Sequence, residues 1–275
     1  MNGRRRAAGL VAALAGVAVL FSAAGAPVAA AQRGRGDDGA SPRDGALIDL
    51  TGQWVSVVTE DWRWRMVTPP KGDAASVPLN PAGRKVAADW DLAADKARGD
   101  LCRAFGPPGL VRQPGRVRIR WENDNTLLLE FDAGSQVRRL RFGAPRTAGP
   151  RSLQGHSEAK WFRQPQTRGI FGRGSAARGG SLEVVTTNLT AGYLRPNGVP
   201  YSARAVVKEF FDSFTLPDDG TWLIVTTVVD DPEYLTQEFV ISSQFKKESD
   251  LSKWNPRTCD IAAPLAPGRP PGPVK

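Results

Sequence analysis

One short segment, Thr59-Glu60-Asp61-Trp62-Arg63-Trp64-Arg65, combines acids, tryptophans and arginines. We interpret it as the end of the first strand, where Trp62 and Trp64 share one face and the charges share the other. Tryptophan can stack on a ligand and arginine can bind an anionic group, which predicts a ligand-binding rim. The predicted ligand-binding residues are Trp54, Asp61, Trp62, Arg63, Trp64 and Arg65. The pattern favours the alternative, core tryptophans beside a charged exterior that pairs with Glu130 or Asp132.

The chain has one histidine, His156, within Gly155-His156-Ser157-Glu158. A single histidine cannot build a histidine-rich metal site, and the sequence contains no Gly-x-Ser-x-Gly element for a serine hydrolase. We expect Ser157 and Glu158 to point away from His156, so a catalytic partner would come from elsewhere in the fold. A structural hydrogen bond is the favoured role of His156. The alternative is a hydrolase-type enzyme that uses His156 with a carboxylate brought close by folding. No metal site and no cofactor are predicted.

Two acidic pairs could in principle serve glycoside hydrolysis or calcium binding. They are Asp89-Trp90-Asp91 and Asp230-Asp231-Pro232. Asp89 and Asp91 lie two residues apart on a predicted helix and therefore face different directions. The second pair is typical of a turn after a strand. Neither pair is predicted to form a site.

The largest charge feature is a set of arginines on neighbouring predicted strands: Arg116, Arg118, Arg120, Arg139 and Arg141. Cross-strand pairing with Glu122, Glu130 and Asp132 explains most of this set. The alternative is an interaction module that makes weak contact with an anionic envelope surface, such as lipid headgroups or a polysaccharide.

The N terminus predicts export. A basic start, Met1–Arg6, precedes an almost wholly apolar run over 7–24 and then small residues up to Ala31. This three-part pattern is typical of a secretory signal, so we expect cleavage near Ala31 and a periplasmic or extracellular protein. The small-residue site favours removal over a membrane anchor. The net charge is +9, but we predict no nucleic-acid partner, because an exported protein seldom meets nucleic acid.

Export also bears on the two cysteines, Cys102 and Cys259. Two cysteines in an exported chain most often pair. The predicted disulfide closes a loop of about 157 residues and contributes about 5 kcal/mol in the chain-entropy picture. It also leaves no thiol for an active site. The alternative is two free buried thiols.

Alternation of apolar and polar residues predicts about nine strands. They are expected near 53–60, 116–122, 127–132, 137–142, 157–163, 182–189, 204–214, 221–229 and 237–246. So many sequential strands most simply close on themselves, which hides their edges. The sequence therefore predicts a mainly β protein with an up-and-down barrel rather than a sandwich.

One helix is predicted over 81–97. Asn80-Pro81 is a capping residue followed by proline, apolar residues then recur at helical spacing, and Gly99 is a stop signal. The predicted organisation is a signal peptide over 1–31, a disordered leader over 32–46, one β-barrel-like domain over 47–259 and a Pro-rich disordered tail over 260–275. An Arg- and Gly-rich connection over 164–180 is either solvated or a binding lid.

Gly52-x-Trp54 on the first strand resembles the opening of a lipocalin, in which a glycine and a tryptophan close one end of the barrel. A cysteine bridge from the C-terminal region back into the barrel is also similar to lipocalins. A wider ordered set resembles a group of secreted bacterial proteins of uncharacterised activity. In this chain that set is Pro78-Leu79-Asn80-Pro81-x-Gly83-Arg84, Trp90-Asp91, Cys102, Pro114-Gly115-Arg116, Gly155-His156-Ser157, Trp161 and Asp231-Pro232-x-x-x-Thr236.

The resemblance implies an exported lipocalin-like β-barrel and implies no catalytic activity. The chain departs from the group after Trp161, where the connection over 164–180 replaces a short turn. The many alternating strands and the lipocalin-like Gly52-x-Trp54 start lead to the main functional prediction. We expect non-catalytic binding of a small apolar or amphipathic ligand in the mouth of the barrel.

Overall fold

A computed structural model describes residues 40–143, 149–163 and 180–267. The predicted signal peptide lies outside these residues. So do most of the predicted leader, nearly all of the connection over 164–180 and the end of the predicted tail. No helix in the described ranges is both long and apolar enough to cross a membrane.

Eleven strands occur in the described residues, and nine of them form a closed barrel. The strands are β1 (Gly52–Val57), β2 (Arg116–Asn123), β3 (Thr126–Phe131), β4 (Val137–Phe142), β5 (His156–Phe162), β6 (Ser181–Thr187), β7 (Gly192–Tyr193), β8 (Pro200–Tyr201), β9 (Val206–Leu216), β10 (Gly220–Asp230) and β11 (Phe239–Glu248). Around the barrel the order is β1-β11-β10-β9-β6-β5-β4-β3-β2, and β7 pairs with β8 apart from it. The predicted mainly β, nine-stranded barrel is confirmed, with strand ends within a few residues of those predicted.

The barrel differs from a pure up-and-down meander at one pair. β4 and β5 run parallel, with Leu140 opposite Ser157 and Phe142 opposite Ala159, whereas the other paired barrel strands are antiparallel. A ring in which every neighbouring pair is antiparallel needs an even number of strands. A nine-stranded ring can therefore close only if it includes a parallel pair, which strand alternation along the sequence does not reveal.

The helices of the described residues are α1 (Trp62–Arg65), α2 (Pro81–Asp89), α3 (Leu92–Arg98) and α4 (Pro107–Leu110), with 3₁₀ turns at Leu101–Phe105, Ala133–Ser135 and Leu251–Lys253. The single helix predicted over 81–97 is wrong, because the chain breaks between α2 and α3. Trp90 leaves the helical conformation, Asp91 is extended, and the Asp91 side chain accepts hydrogen bonds from the N–H groups of Ala93 and Ala94. An aspartate that caps a new helix competes with continuation of the old one. The predicted start and stop at Asn80 and Gly99 are confirmed.

The helices and the β7–β8 hairpin belong to one end of the barrel, which we call the capped end. α1 to α4 connect the end of β1 to the start of the antiparallel β2, and β7 and β8 connect the end of β6 to the start of the antiparallel β9. Inward side chains such as Trp54, Leu140 and Phe211 fill the barrel. A second apolar cluster, which includes Leu79 and Tyr201, packs at the capped end.

The predicted disulfide between Cys102 and Cys259 is confirmed, with the two Cα atoms 5.1 Å apart. It ties the 3₁₀ turn after α3 to the chain beyond β11. The packed chain extends past both predicted domain boundaries. The Trp161 indole donates to the Pro42 carbonyl over 2.7 Å, and Ile261 is buried. We call residues 257–265 the C-terminal strap.

Candidate functional site

The segment over 59–65 does not continue the first strand, so that prediction is wrong. β1 ends at Val57, Asp61 adopts a left-handed conformation with φ of 55°, and one helical turn, α1, follows. In this turn the Trp64 N–H donates to the Asp61 carbonyl over 2.8 Å. Helical rather than strand geometry turns Arg65 inward and leaves Trp62 49% exposed.

Arg65 lies beside two other buried arginines, and we call these three the arginine cluster. Arg65 ends α1, Arg112 follows α4, and Arg195 lies between β7 and β8. Their exposed fractions are 5%, 4% and 1%. Three separate connections at the capped end therefore bring guanidinium groups into one buried region.

Each arginine of the cluster has some protein partners. Arg65 donates from Nε to the Arg112 carbonyl over 3.0 Å and from Nη1 to Glu60 over 3.2 Å. Arg112 donates from Nη2 to Asp61 over 3.0 Å. Arg195 donates from Nη2 to the Ala75 carbonyl over 2.7 Å.

Other nitrogens of the same side chains are buried without any hydrogen-bond partner in the described part of the chain. They are Nη2 of Arg65, Nη1 of Arg112, and Nε and Nη1 of Arg195. Most buried polar groups in proteins have a partner, so four such donors in one region call for an acceptor from outside these residues.

Trp64 and the connection before α2 position the cluster. The guanidinium carbons of Arg63 and Arg195 each lie 4.5 Å from the Trp64 ring centroid, and the indole donates to Asp73 over 3.2 Å. Asn197 donates to the carbonyls of Pro70 and Asp73 over 2.8 and 2.9 Å. These bonds hold the connection against the β7–β8 hairpin and so fix the position of Arg195.

Burial and repulsion between neighbouring guanidinium groups lower the pKa values of Arg65 and Arg195. Burial first, and the nearby Arg112 second, lower the pKa of Arg195 to about 10, although Asp61 and Asp73 oppose this shift. Burial and Arg112 also lower the pKa of Arg65, against the opposing charges of Glu60 and Asp61. The cluster is therefore a region where positive charge exceeds its local compensation.

A cavity of about 570 Å³ adjoins the arginine cluster at the capped end. Arg65 lies at its edge, and Gln113 and Pro196, the sequence neighbours of Arg112 and Arg195, also line it. Much of the remaining lining is apolar and includes Met66 and Phe105. The C-terminal strap forms one wall through Arg257, Thr258, Asp260, Ile261 and Ala262.

The structure brings together some of the predicted ligand-binding residues. Asp61, Arg63, Trp64 and Arg65 belong to this region, although in a helical turn. Trp54 does not, because it is fully buried in the barrel, where its indole donates to the Leu50 carbonyl over 2.9 Å. Neither Arg112 nor Arg195 was predicted, since nothing in their local sequence patterns marks them as buried.

The alternative for this segment, pairing with Glu130 or Asp132, is not what the structure has. Glu130 binds Arg120, and Asp132 accepts from the Arg116 N–H. Arg120 and Arg139 pair with predicted acids, Glu130 and Glu122, whereas the acidic partner of Arg116 is Glu248, which was not predicted. Arg116 binds Glu248 over 2.7 Å and Arg139 binds Glu122 over 2.9 Å. Contact of this face with an envelope surface stays a prediction.

His156 lies in a separate cleft of about 280 Å³, together with Glu158 and Arg141. The expectation that Glu158 points away is wrong: residues two apart on a strand share a face, and Glu158 Oε1 lies 3.6 Å from His156 Nε2. Ser157 does point to the interior, where its hydroxyl is 2.8 Å from that of Thr186. No serine or cysteine is among the described residues that line this cleft. The hydrolase alternative stays a prediction.

The barrel interior contains an ion pair that the sequence interpretation missed. Arg138 on β4 and Glu209 on β9 have side chains that are 0% exposed and bind each other, with Nη1 to Oε1 at 2.8 Å. We call them the interior pair. Arg138 also donates to Thr186 over 3.3 Å. A signal existed, because strand alternation places Arg138 on the same face as the core residue Leu140.

The chain matches no protein-family model, no curated protein and no solved structure. The likeness to lipocalins therefore stays a prediction. What the chain does has to be inferred from its own residues, and the arginine cluster with its cavity is the region they single out.

Proposed function

We propose that the protein is exported and that it binds a small amphipathic ligand, without converting it, in the cavity at the capped end. The cavity beside the arginine cluster is the observation that carries this proposal. Its volume lies within the range of about 300–1,000 Å³ that is usual for small-molecule sites. The location differs from the predicted barrel mouth, since the cavity lies between the cap, the β3–β4 turn and the C-terminal strap.

The lining supports a ligand with two chemical ends. Met66, Phe105 and Ile261 offer apolar surface for a hydrocarbon portion, and Arg65 offers a polar edge. A mostly apolar pocket with a few placed polar groups is the usual form of a ligand site. The disulfide supports export, because such bonds persist in oxidising compartments.

Occupation of the cavity can be tested with the neutral fluorescent probe N-phenyl-1-naphthylamine and the mature protein. Ala262 and Ala263 are both exposed, but only Ala262 lines the cavity. We expect Ala262→Trp to fill the cavity and weaken probe binding at least tenfold, a change of about 1.4 kcal/mol. Ala263→Trp is the matched control and should bind as the wild type does.

Two results would count against this proposal. One is a wild-type protein that does not bind the probe, and the other is equal weakening by both tryptophan variants. Native mass spectrometry of the protein purified from its own host gives a second measurement. A retained small molecule that is lost in Ala262→Trp and kept in Ala263→Trp supports the cavity as the binding site.

A further inference from the structure

We infer that the arginine cluster binds an anionic head group, so that the ligand is an amphiphile with a carboxylate, phosphate or sulfate head. This inference rests on the proposed function, because it assigns chemistry to one end of the same cavity. The apolar portion of the ligand then lies against Phe105 and the strap.

Charge compensation is the first step. In the cluster, Arg65 is paired with Glu60 and Arg112 with Asp61. Among the described residues Arg195 has a carbonyl and an aromatic face as direct contacts, whereas Asp73 is within ion-pair distance of Arg63. Three buried cations with two paired carboxylates leave one positive charge, which matches one anionic group.

Hydrogen bonding is the second step. Four guanidinium nitrogens of the cluster lack an acceptor within the described ranges, and they belong to side chains more than nine-tenths buried. An oxyanion offers several acceptor lone pairs, and guanidinium groups bind carboxylate and phosphate through paired donors. Water could accept some of these hydrogen bonds but could not neutralise the charge.

Access is the third step. Arg65 itself lines the cavity, and Arg112 and Arg195 are each followed in sequence by a lining residue, Gln113 and Pro196. Among the three arginines, Arg65 is therefore the one that a ligand in the cavity contacts directly, whereas the unpaired nitrogens of Arg112 and Arg195 are buried behind the lining. A ligand head beside Arg65 compensates the charge of the cluster while its tail stays among apolar side chains.

The test compares two probes that share a tail and differ in the head, decanoate and 1-decanol, by titration calorimetry on the mature, delipidated protein. We expect the wild type to bind decanoate at least tenfold more tightly than decanol. Arg195→Met should lower the affinity for decanoate to that for decanol, and retained decanol binding shows that the variant is folded. Arg120→Met, which removes an exposed arginine of the barrel exterior, is the matched control and should keep the preference.

The outcomes separate this inference from the proposed function. Equal binding of both probes to the wild type would overturn the anionic head group and leave the cavity proposal standing. Binding of neither probe would overturn both. If Arg195→Met does not fold, the ratio of the wild-type affinities for decanoate and decanol still decides whether the site prefers an anionic head group. Decyl phosphate and decyl sulfate then identify which head group binds most tightly.

Discussion

The interior pair and the arginine cluster both bury arginine, but they compensate its charge differently. Arg138 binds Glu209 through two nitrogens and also reaches Thr186. Arg195 is as deeply buried, yet its hydrogen bond within the described residues goes to the Ala75 carbonyl. The interior pair has its counter-charge in the chain itself and leaves one nitrogen, Nε of Arg138, without a partner in the described residues, whereas the arginine cluster leaves four.

This difference separates structure from function. A buried ion pair that the protein completes itself can be a fixed part of the core. A buried charge without full compensation lowers stability unless something else supplies the missing partner. The two regions should therefore respond in opposite directions when an arginine is removed.

The largest loss of stability should come from removal of the disulfide. This change should also weaken ligand binding in the cavity, and it should leave the interior pair intact. Cys102→Ser with Cys259→Ser reopens a loop that spans 157 residues, which should lower the free energy of unfolding by about 5 kcal/mol. The strap should also detach from the cavity. Urea denaturation measures the first effect and probe titration the second. Full probe affinity in the folded variant would mean that the strap does not shape the site.

Removal of the interior arginine should be next in size. Arg138→Met leaves Glu209 buried and uncompensated, which should cost about 4 kcal/mol in the free energy of unfolding. Adding Glu209→Met removes the remaining charge and should recover most of this loss. Chemical denaturation of the two single variants and the double variant forms the cycle. Additive losses would show that the two side chains do not act as a pair.

Removal of Arg195 from the arginine cluster should change the free energy of unfolding in the opposite direction. In buffer without decanoate Arg195→Met should raise the free energy of unfolding by about 1 kcal/mol, since an uncompensated charge is lost along with one hydrogen bond. Decanoate at about 100 times its Kd should stabilise the wild type by about 2.7 kcal/mol and reverse the order. Thermal unfolding with and without decanoate measures this. A variant less stable than the wild type in both buffers would contradict it.

The smallest effect on the free energy of unfolding should come from Tyr201, in the second apolar cluster at the capped end. Its buried hydroxyl has no partner within the described residues, so Tyr201→Phe should cost under about 1 kcal/mol at pH 7. Burial raises the pKa of Tyr201. The unfolded chain therefore loses this proton first, near pH 10, and stability falls as the pH rises further. The variant should shift alkaline unfolding to higher pH.

Tyr193 provides the comparison for that experiment. Burial raises its pKa as well, but its hydroxyl donates to Asp95 over 2.9 Å. Tyr193→Phe should therefore cost more than Tyr201→Phe at pH 7, because it leaves a buried carboxylate with one partner fewer. An equal cost for the two variants would argue that Tyr201 has a partner of its own.

Strand positions could be predicted from the sequence because alternation is local. Each predicted barrel strand is present, since a half-buried strand imposes a period of two on its own residues. The break at Trp90 was not predicted, because Asp91 fits both a continuing helix and a new cap. The parallel β4–β5 pair was also not predicted, since alternation shows where strands lie but not in which direction two consecutive strands run relative to each other.

The candidate site could be predicted only in part for a similar reason. Asp61, Arg63, Trp64 and Arg65 stand out because unusual residue types are adjacent in the sequence. Arg112 and Arg195 join them through the fold, across long stretches of chain. Local patterns give no measure of burial for a lone arginine in a connection, so its role emerges only when packing is known.

The seam between β1 and β11 has a consequence for how the chain folds. Gln53 pairs with Arg118 on one side and with Glu248 on the other. When the chain emerges from its N terminus, β1 can pair early with β2, but its second edge stays unpaired until β11 has emerged. Such distant pairing makes closure slow, and open strand edges invite pairing with other chains. We therefore expect truncated chains that lack β11 to aggregate.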